Sequence, residues 1–302
     1  MAPSLQGLVN SRFGIGFALA FGRMLPPAIA YRLLPVLADR ISQRRNSDMI
    51  RSVRANQWVV HGGQVSSEDL DGLVRDTFRH TARCLYDLYH NLHNRAAMKR
   101  LIAFGPYVDK FLNPAETRER GLVLVGAHMS NFDFVAQAAG RMGFSALALG
   151  LPEIPGGYEW QNEMRRSAGF HVVPTTISTM RLATQRLRAG GIVMTAVDRP
   201  LKVSNSKPRF YGRPAALPVH HVLLALKEDV PIVVVAAILQ PNGVYDILAS
   251  NPIEVRRSSD RRTDLIENAE AVLAHVEDFI RIAPHQWSMF YPVWPEVLDE
   301  LQ

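Results

Sequence analysis

The residues best suited to chemistry lie in the stretch GLVLVGAHMSNFDF at 121–134, in which His128 and Asp133 are five positions apart. In one continuous helix, that step turns a side chain about 140° away from its partner. The two side chains can therefore meet only if His128 lies in a turn and Asp133 in the first turn of the next helix. Ser130 or Asn131 is suited to cap that helix. Asp133 would then accept a hydrogen bond from His128 Nδ1, which leaves Nε2 to take a proton from a hydroxyl group.

A second acid, Asp198, ends the apolar run GIVMTAV at 191–197 and is followed by Arg199. The carboxyl ends of parallel strands meet at one edge of a sheet, so Asp198 and His128 can converge there. Either Asp133 or Asp198 can be the partner of the imidazole, and the sequence leaves that choice open.

A pair of arginines, Arg165 and Arg166, precedes Gly169, which is suited to end a helix. A guanidinium group at this position can clamp a phosphate or stabilise developing negative charge. It can equally well complement the dipole at the carboxyl end of a helix.

The elements that must position these residues follow from the apolar pattern. From residue 121 onward, short apolar runs alternate with amphipathic segments of about a dozen residues. This alternation predicts an α/β fold with a central mixed or mostly parallel sheet flanked by helices, preceded by a helical N-terminal extension. We predict a single domain over 1–302, in which 1–115 are mainly helical and face a membrane, and 116–302 form the catalytic core.

Charge and hydropathy narrow the choice of partner. The formal charge of +6 suits an anionic partner, but the basic residues are dispersed and no recognised nucleic-acid motif is present, so we expect no nucleic-acid partner.

The apolar segments 13–22 and 28–38 are too short and too interrupted by Arg and Pro to span a bilayer. They are expected either to lie on a membrane or to pack on the core as a helical hairpin. The single cysteine, Cys84, cannot form an internal disulfide.

Further motifs join these residues in a fixed order along the chain. They are Leu25-Pro26, the helix containing Asn56, the His128–Asp133 block, Arg165 before Gly169, Asp198-Arg199, FYGRP at 210–214 before Pro218, and PHQWSMFYPVWP at 284–295. This ordered set resembles the bacterial lysophospholipid/lipid A acyltransferase family, which includes the late lipid A acyltransferases and the actinobacterial phosphatidylinositol mannoside acyltransferase. The Asp198-Arg199 pair and the chain length favour the mannoside branch.

The resemblance implies a membrane-associated O-acyltransferase that moves a fatty acyl chain from acyl-CoA or acyl carrier protein to a glycolipid hydroxyl, in a phosphatidylinositol mannoside-type acceptor. The implied catalytic residues are His128, Asp133 and Asp198, and the implied substrate-binding residues are Arg165, Arg199 and Asn131. No cofactor or metal is expected. The protein is expected at the cytoplasmic face of the plasma membrane, as a peripheral protein held by its N-terminal helices.

Other functions remain open from the sequence. The acceptor can instead be of the lipid A or lysophospholipid type. In a different class, His128, Asp133 and Asp198 could ligate a divalent ion in a metal-dependent hydrolase, although no clustered metal-binding motif is present. A nucleotide-binding protein is disfavoured because neither G-x-G-x-x-G nor a P-loop motif occurs.

Overall fold

The fold is known from a computed structural model that describes Gly22 and residues 24–105, 120–150 and 156–301. The predicted apolar segment 13–22 lies almost wholly outside the described residues, as does the proposed boundary near 115. The second apolar segment, 28–38, falls within a described helix.

The centre of the described part is a seven-stranded sheet with the strand order β1-β9-β8-β2-β5-β3-β4. Its strands are β1 (Ile102–Phe104), β2 (Leu122–Gly126), β3 (Leu147–Gly150), β4 (His171–Pro174), β5 (Ile192–Ala196), β8 (Ile232–Leu239) and β9 (Tyr245–Ala249). All neighbouring pairs are parallel except β8 with β9. Two short strands, β6 (Arg209–Phe210) and β7 (Arg213–Pro214), form a separate antiparallel pair.

Helices cover both faces of this sheet. In chain order they are α1 (Pro27–Ser42), α2 (Asp48–Val60), α3 (Ser67–Asn91), α4 (Arg95–Leu101), α5 (Phe132–Arg141), α6 (Gly156–Ser167), α7 (Ile177–Arg188), α8 (His220–Glu228), α9 (Arg261–Ile282), a 3-10 turn (Pro284–Gln286) and α10 (Val297–Glu300). Helices α7, α8 and α9 pack on one face, and α5 and α6 pack on the other, where α3 contacts α5.

Strand side chains alternate between the two faces, as a two-residue period requires. In β2, Val123 and Val125 are fully buried in the large core beneath α7, α8 and α9, whereas Leu124 belongs to a second core with Phe144 and Phe170. Both faces are therefore apolar, which explains why the central strands read as continuous apolar runs rather than as alternating patterns.

The predicted fold class is confirmed: the sheet is mixed, mostly parallel and flanked by helices, and helices precede it in the chain. The sequence did not predict β1, which lies inside the mainly helical stretch and pairs with β9 at the sheet edge. Three residues are too few to show a strand period, so this strand is defined by its partner rather than by its own pattern. The single domain remains a prediction.

Candidate active site

His128 lies in the turn that joins β2 to α5. The turn is held by the chain near residue 287: Ser130 N donates to Gln286 O at 2.7 Å, and Ser288 N donates to His128 O at 2.9 Å. Ser130 adopts a left-handed φ of 47°, which is unfavourable for a residue other than glycine, and its Oγ lies 3.0 Å from His80 Nε2. These contacts fix the strained turn that presents the histidine.

Asp198 is the carboxylate that contacts His128. Strands β2 and β5 are neighbours and pair Gly126 with Ala196, so residues two positions beyond each strand end come together. Asp198 Oδ1 lies 2.7 Å from His128 Nδ1, and Asp198 Oδ2 accepts from the His128 backbone N–H at 2.7 Å. The choice left open by the sequence is thus resolved in the structure: Asp198, and not Asp133, holds the imidazole.

The protonation of this pair follows from its surroundings. Burial raises the pKa of Asp198, but the charge of His128 and hydrogen bonds from His128 and Trp287 outweigh burial and hold the pKa below its ordinary value. An ionised carboxylate only accepts hydrogen bonds, so Nδ1 of His128 carries the proton. In the neutral imidazole, Nε2 is then the acceptor, as a general base requires.

Trp287 is a further partner of Asp198 that the sequence analysis did not single out. Its indole Nε1 donates to Asp198 Oδ2 at 2.8 Å, and both side chains are buried. The segment around Trp287 contributed to the family resemblance, but nothing in its local pattern shows which strand end it approaches.

Asp133 has a different partner from the one its spacing suggested. Its two oxygens accept from Arg165 Nε at 2.7 Å and from Arg165 Nη2 at 2.9 Å, which is a bidentate ion pair. Arg165 Nη1 also donates to Asn162 Oδ1 at 3.0 Å, a contact that the sequence did not indicate. The carboxylate of Asp133 therefore fixes the guanidinium group rather than the imidazole.

Asn131 lies at the N-cap position of α5, but its side chain makes no capping hydrogen bond. Its Nδ2 instead donates to Cys84 O at 2.8 Å and to Tyr245 OH at 3.3 Å. The side chain is buried and does not line the cavity described below. This position ties the turn to α3 and β9, and it gives no support to the expected substrate-binding role.

An apolar cavity of about 310 Å³ opens beside His128, between α5 and the sheet. The apolar part of its wall from α5 consists of Phe132, Val135, Ala136 and Ala139. The sheet side is lined by apolar residues from all seven strands of the sheet, including Phe104, Leu124, Ala148, Val172, Met194, Val235 and Ile247. His128, Asp133 and Arg165 also line this cavity, so the polar groups lie along a long apolar surface.

Arg199 and His220 also line the cavity. The guanidinium of Arg199 lies 4.1 Å from the ring centre of Tyr291, a cation–π contact. The Nε2 of His220 lies 2.9 Å from Thr195 Oγ1, and both residues line the cavity. Burial lowers the pKa of His220 to about 4, so this ring is neutral near neutral pH.

A metal-dependent hydrolase would need several ligands in one place. Within residues 24–105, 120–150 and 156–301, no three His, Cys, Asp or Glu side chains are grouped so that they could hold a metal ion. The described helices also include none that is both long enough and apolar enough to cross a membrane.

The fold and the site together define a class: an α/β enzyme with a histidine–carboxylate pair at the strand ends, beside a cavity suited to a hydrocarbon chain. The comparison with protein families agrees, because the bacterial lipid A biosynthesis acyltransferases match residues 8–296. The chain therefore belongs to this family and is an acyltransferase of lipid biosynthesis. None of the curated proteins matches the chain. The resemblance read from the motifs is thus confirmed at the level of the family, while the mannoside branch remains a prediction.

Proposed function

We propose that this protein is a membrane-associated O-acyltransferase that moves a fatty acyl chain from acyl-CoA or acyl carrier protein to a hydroxyl of a phosphatidylinositol mannoside-type glycolipid. One observation carries the proposed acyl transfer. The imidazole of His128, held by the buried Asp198 through Nδ1, lines an apolar cavity between α5 and the sheet.

In the proposed reaction, His128 Nε2 takes the proton of the acceptor hydroxyl as its oxygen attacks the thioester carbonyl carbon. The C–S bond then breaks, and the leaving thiolate receives the proton from the imidazolium. Asp198 stabilises the imidazolium while it exists. The products are an ester and a free thiol, so no acyl-enzyme and no nucleophilic side chain are needed.

The remaining predicted residues have roles that follow from their contacts. Arg165 has five N–H groups, and its contacts with Asp133 and Asn162 use three of them. Two N–H groups are left to bind a phosphate or the oxyanion. We propose that Asp133 acts by fixing this guanidinium group, and that Arg199 meets the charged part of a substrate. Asn131, by contrast, would support the turn.

The proposed acyl donor follows from the cavity, and the proposed acceptor follows from the family resemblance. The strip of apolar side chains beneath α5 is suited to an acyl chain that starts near His128. The mannoside-type acceptor rests on the motifs alone. Lipid A-type and lysophospholipid acceptors are the alternatives that the experiment below must separate.

Membrane contact is proposed through the apolar face of α1, which we define as Ile29, Leu33, Val36 and Leu37. These residues recur with helical spacing and remain 44–51% exposed, whereas Ala30 and Ala38 of the same helix are buried. Exposed arginines, Arg32 and Arg40, accompany this face. Apolar residues flanked by arginine fit the interface of an anionic leaflet, which agrees with the predicted peripheral position at the cytoplasmic face of the plasma membrane.

The test is an acyl-transfer assay with purified protein, palmitoyl-CoA or palmitoyl acyl carrier protein, and each of three acceptors: a phosphatidylinositol mannoside, a lipid A precursor and a lysophospholipid. The lipid product is identified by mass spectrometry. We expect acylation of the mannoside that depends on the thioester. His128→Ala should abolish it, while His171→Ala, which changes an exposed histidine on edge strand β4, should not. Acylation of only another acceptor would overturn the acceptor proposal, and a fully active His128→Ala protein would overturn the mechanism.

A further inference from the structure

The segment 284–294, which we call the C-terminal segment, completes the site. Trp287 donates to Asp198, Ser288 N donates to His128 O, and the ring of Tyr291 lies against the guanidinium of Arg199. Beyond the 3-10 turn at its start and one isolated bridge between Met129 and Trp287, this segment has no regular secondary structure. Its path therefore depends on contacts with other parts of the chain.

A single buried amide, Asn56 on α2, makes three of those contacts. Its Nδ2 donates to Met289 O at 3.0 Å and to Tyr291 O at 2.9 Å, and its Oδ1 accepts from Val293 N at 3.0 Å. Asn56 is 1% exposed. Both amide N–H groups and the amide oxygen are thus satisfied by backbone groups of the C-terminal segment, so the amide fixes both position and direction of the chain there.

These contacts link α2 to the chemistry without any contact with the cavity. Met289 and Tyr291 follow Trp287 by two and four positions. Asn56 donates a hydrogen bond to the backbone carbonyl of each. If these carbonyls moved, the indole N–H would move relative to Asp198, and the ring of Tyr291 would move relative to Arg199. Catalytic hydrogen bonds are sensitive to such displacements, because a shift of about 1 Å can cost about 100-fold in rate.

We propose that Asn56 is a positioning residue for acyl transfer: it holds the C-terminal segment so that Trp287 stays on Asp198 and Tyr291 stays on Arg199. The expected loss of kcat rests on the proposed function, whereas the expected displacement of Trp287 does not. A spectroscopic measurement therefore accompanies the activity assay.

The chain offers a matched control in Asn268 on α9. This asparagine is also buried and also makes three hydrogen bonds to backbone: Oδ1 accepts from Arg256 N, and Nδ2 donates to Arg256 O and Asp264 O. Those partners belong to the start of α9 and the chain before it, and none of them lines the cavity. Asn56→Ala and Asn268→Ala should therefore cost comparable stability while only the first disturbs the site.

The experiment compares both variants by kinetics and by the indole signal of Trp287 in protein labelled with 15N-tryptophan, assigned with Trp287→Phe. For Asn56→Ala we expect kcat to fall about 10- to 100-fold with KM nearly unchanged, and the Trp287 indole signal to shift. Asn268→Ala should lower the melting temperature without either effect. If Asn56→Ala does not fold, Asn56→Ser, whose hydroxyl can still donate to one carbonyl, should show the same pattern more weakly.

An Asn56 variant with the kcat of the Asn268 variant, or with an unshifted Trp287 signal, would overturn the positioning role. If the wild-type protein transfers no acyl group, the proposed function fails, and the indole signal alone decides the positioning role. The two failures are therefore distinguishable.

Discussion

Replacing Asp198 by asparagine tests the central contact of the site, because it keeps the shape of the side chain while changing its hydrogen-bonding pattern. The carboxylate receives three N–H donors: His128 Nδ1 on one oxygen, and the His128 backbone N–H with Trp287 Nε1 on the other. An asparagine side chain has only one oxygen, and its amino group can only donate. It must therefore turn its amino group toward one side or the other.

If the amide oxygen faces the backbone and Trp287, the amino group faces His128 Nδ1. The ring then has to accept at Nδ1 and carry its proton on Nε2, so Nε2 can no longer act as the base. In the reverse orientation, two buried donors lose their acceptor, at about 1–3 kcal/mol each. The inactive orientation is thus favoured by about 2–6 kcal/mol, which corresponds to about a 30- to 10⁴-fold loss of active enzyme. A loss of about 10⁴-fold is typical when an aspartate behind a catalytic histidine becomes asparagine.

The assay follows release of free thiol from a soluble short-chain acyl thioester with a soluble alcohol as acceptor. Asp198→Asn should lower kcat within the range above and leave KM nearly unchanged. Asp133→Asn is the matched control, since Asp133 holds Arg165 and does not touch the imidazole, so its effect should fall mainly on KM. The reasoning would be refuted by an Asp198→Asn enzyme with more than about one-third of wild-type kcat, especially if Asp133→Asn abolished turnover.

Three further predictions concern Arg165, the buried histidines and α1. Arg165→Lys cannot keep the bidentate contact with Asp133, so kcat/KM should fall about 10- to 100-fold. Arg166→Lys, on the exposed side of α6, should match wild type. An equal loss in both variants would contradict a substrate-binding role for Arg165. His221 is fully buried with neither ring nitrogen hydrogen-bonded, and burial lowers its pKa to about 3. Below about pH 6.5 only the unfolded chain binds this proton, so the free energy of unfolding falls as the pH falls. His221→Leu should remove this loss, which is about 1.6 kcal/mol between pH 6.5 and 5 and is measured by chemical unfolding. An unchanged pH dependence would contradict this prediction. Serine at all four residues of the apolar face of α1 should weaken binding to phosphatidylglycerol-containing vesicles at least about tenfold in a sedimentation assay. Ile282→Ser, which changes an exposed position on α9, should leave binding unchanged. Equal binding of wild type and both variants would contradict membrane contact through this face.

The sequence was sufficient to place His128 and Asp198 at the same edge of the sheet, because each follows a buried strand of a mostly parallel sheet. The contact between them depends on β2 and β5 being direct neighbours in register. The neighbouring position of the two strands was not itself visible in the sequence. That is why the choice between Asp133 and Asp198 had to remain open.

The sequence was insufficient for contacts that cross the fold. The local spacing of His128 and Asp133 allowed a hydrogen bond, but Arg165 on α6 offers a bidentate partner that a single imidazole N–H cannot match. Trp287 reaches Asp198 across 89 positions, and Asn56 reaches Met289 across 233. No periodicity within either segment encodes such a pairing, because both ends are fixed only when the whole core is packed.

The distance between Asn56 and its partners along the chain has a consequence for synthesis in the cell. At about 5–20 residues per second, a ribosome needs roughly 10–50 s to add the residues between Asn56 and Met289. During that interval the nascent chain gains His128 and then Asp198, but it still lacks the indole of Trp287. Until Trp287 has been added, Asp198 has only two of its three N–H donors, so the candidate site stays incomplete for most of the time that the chain is being synthesised.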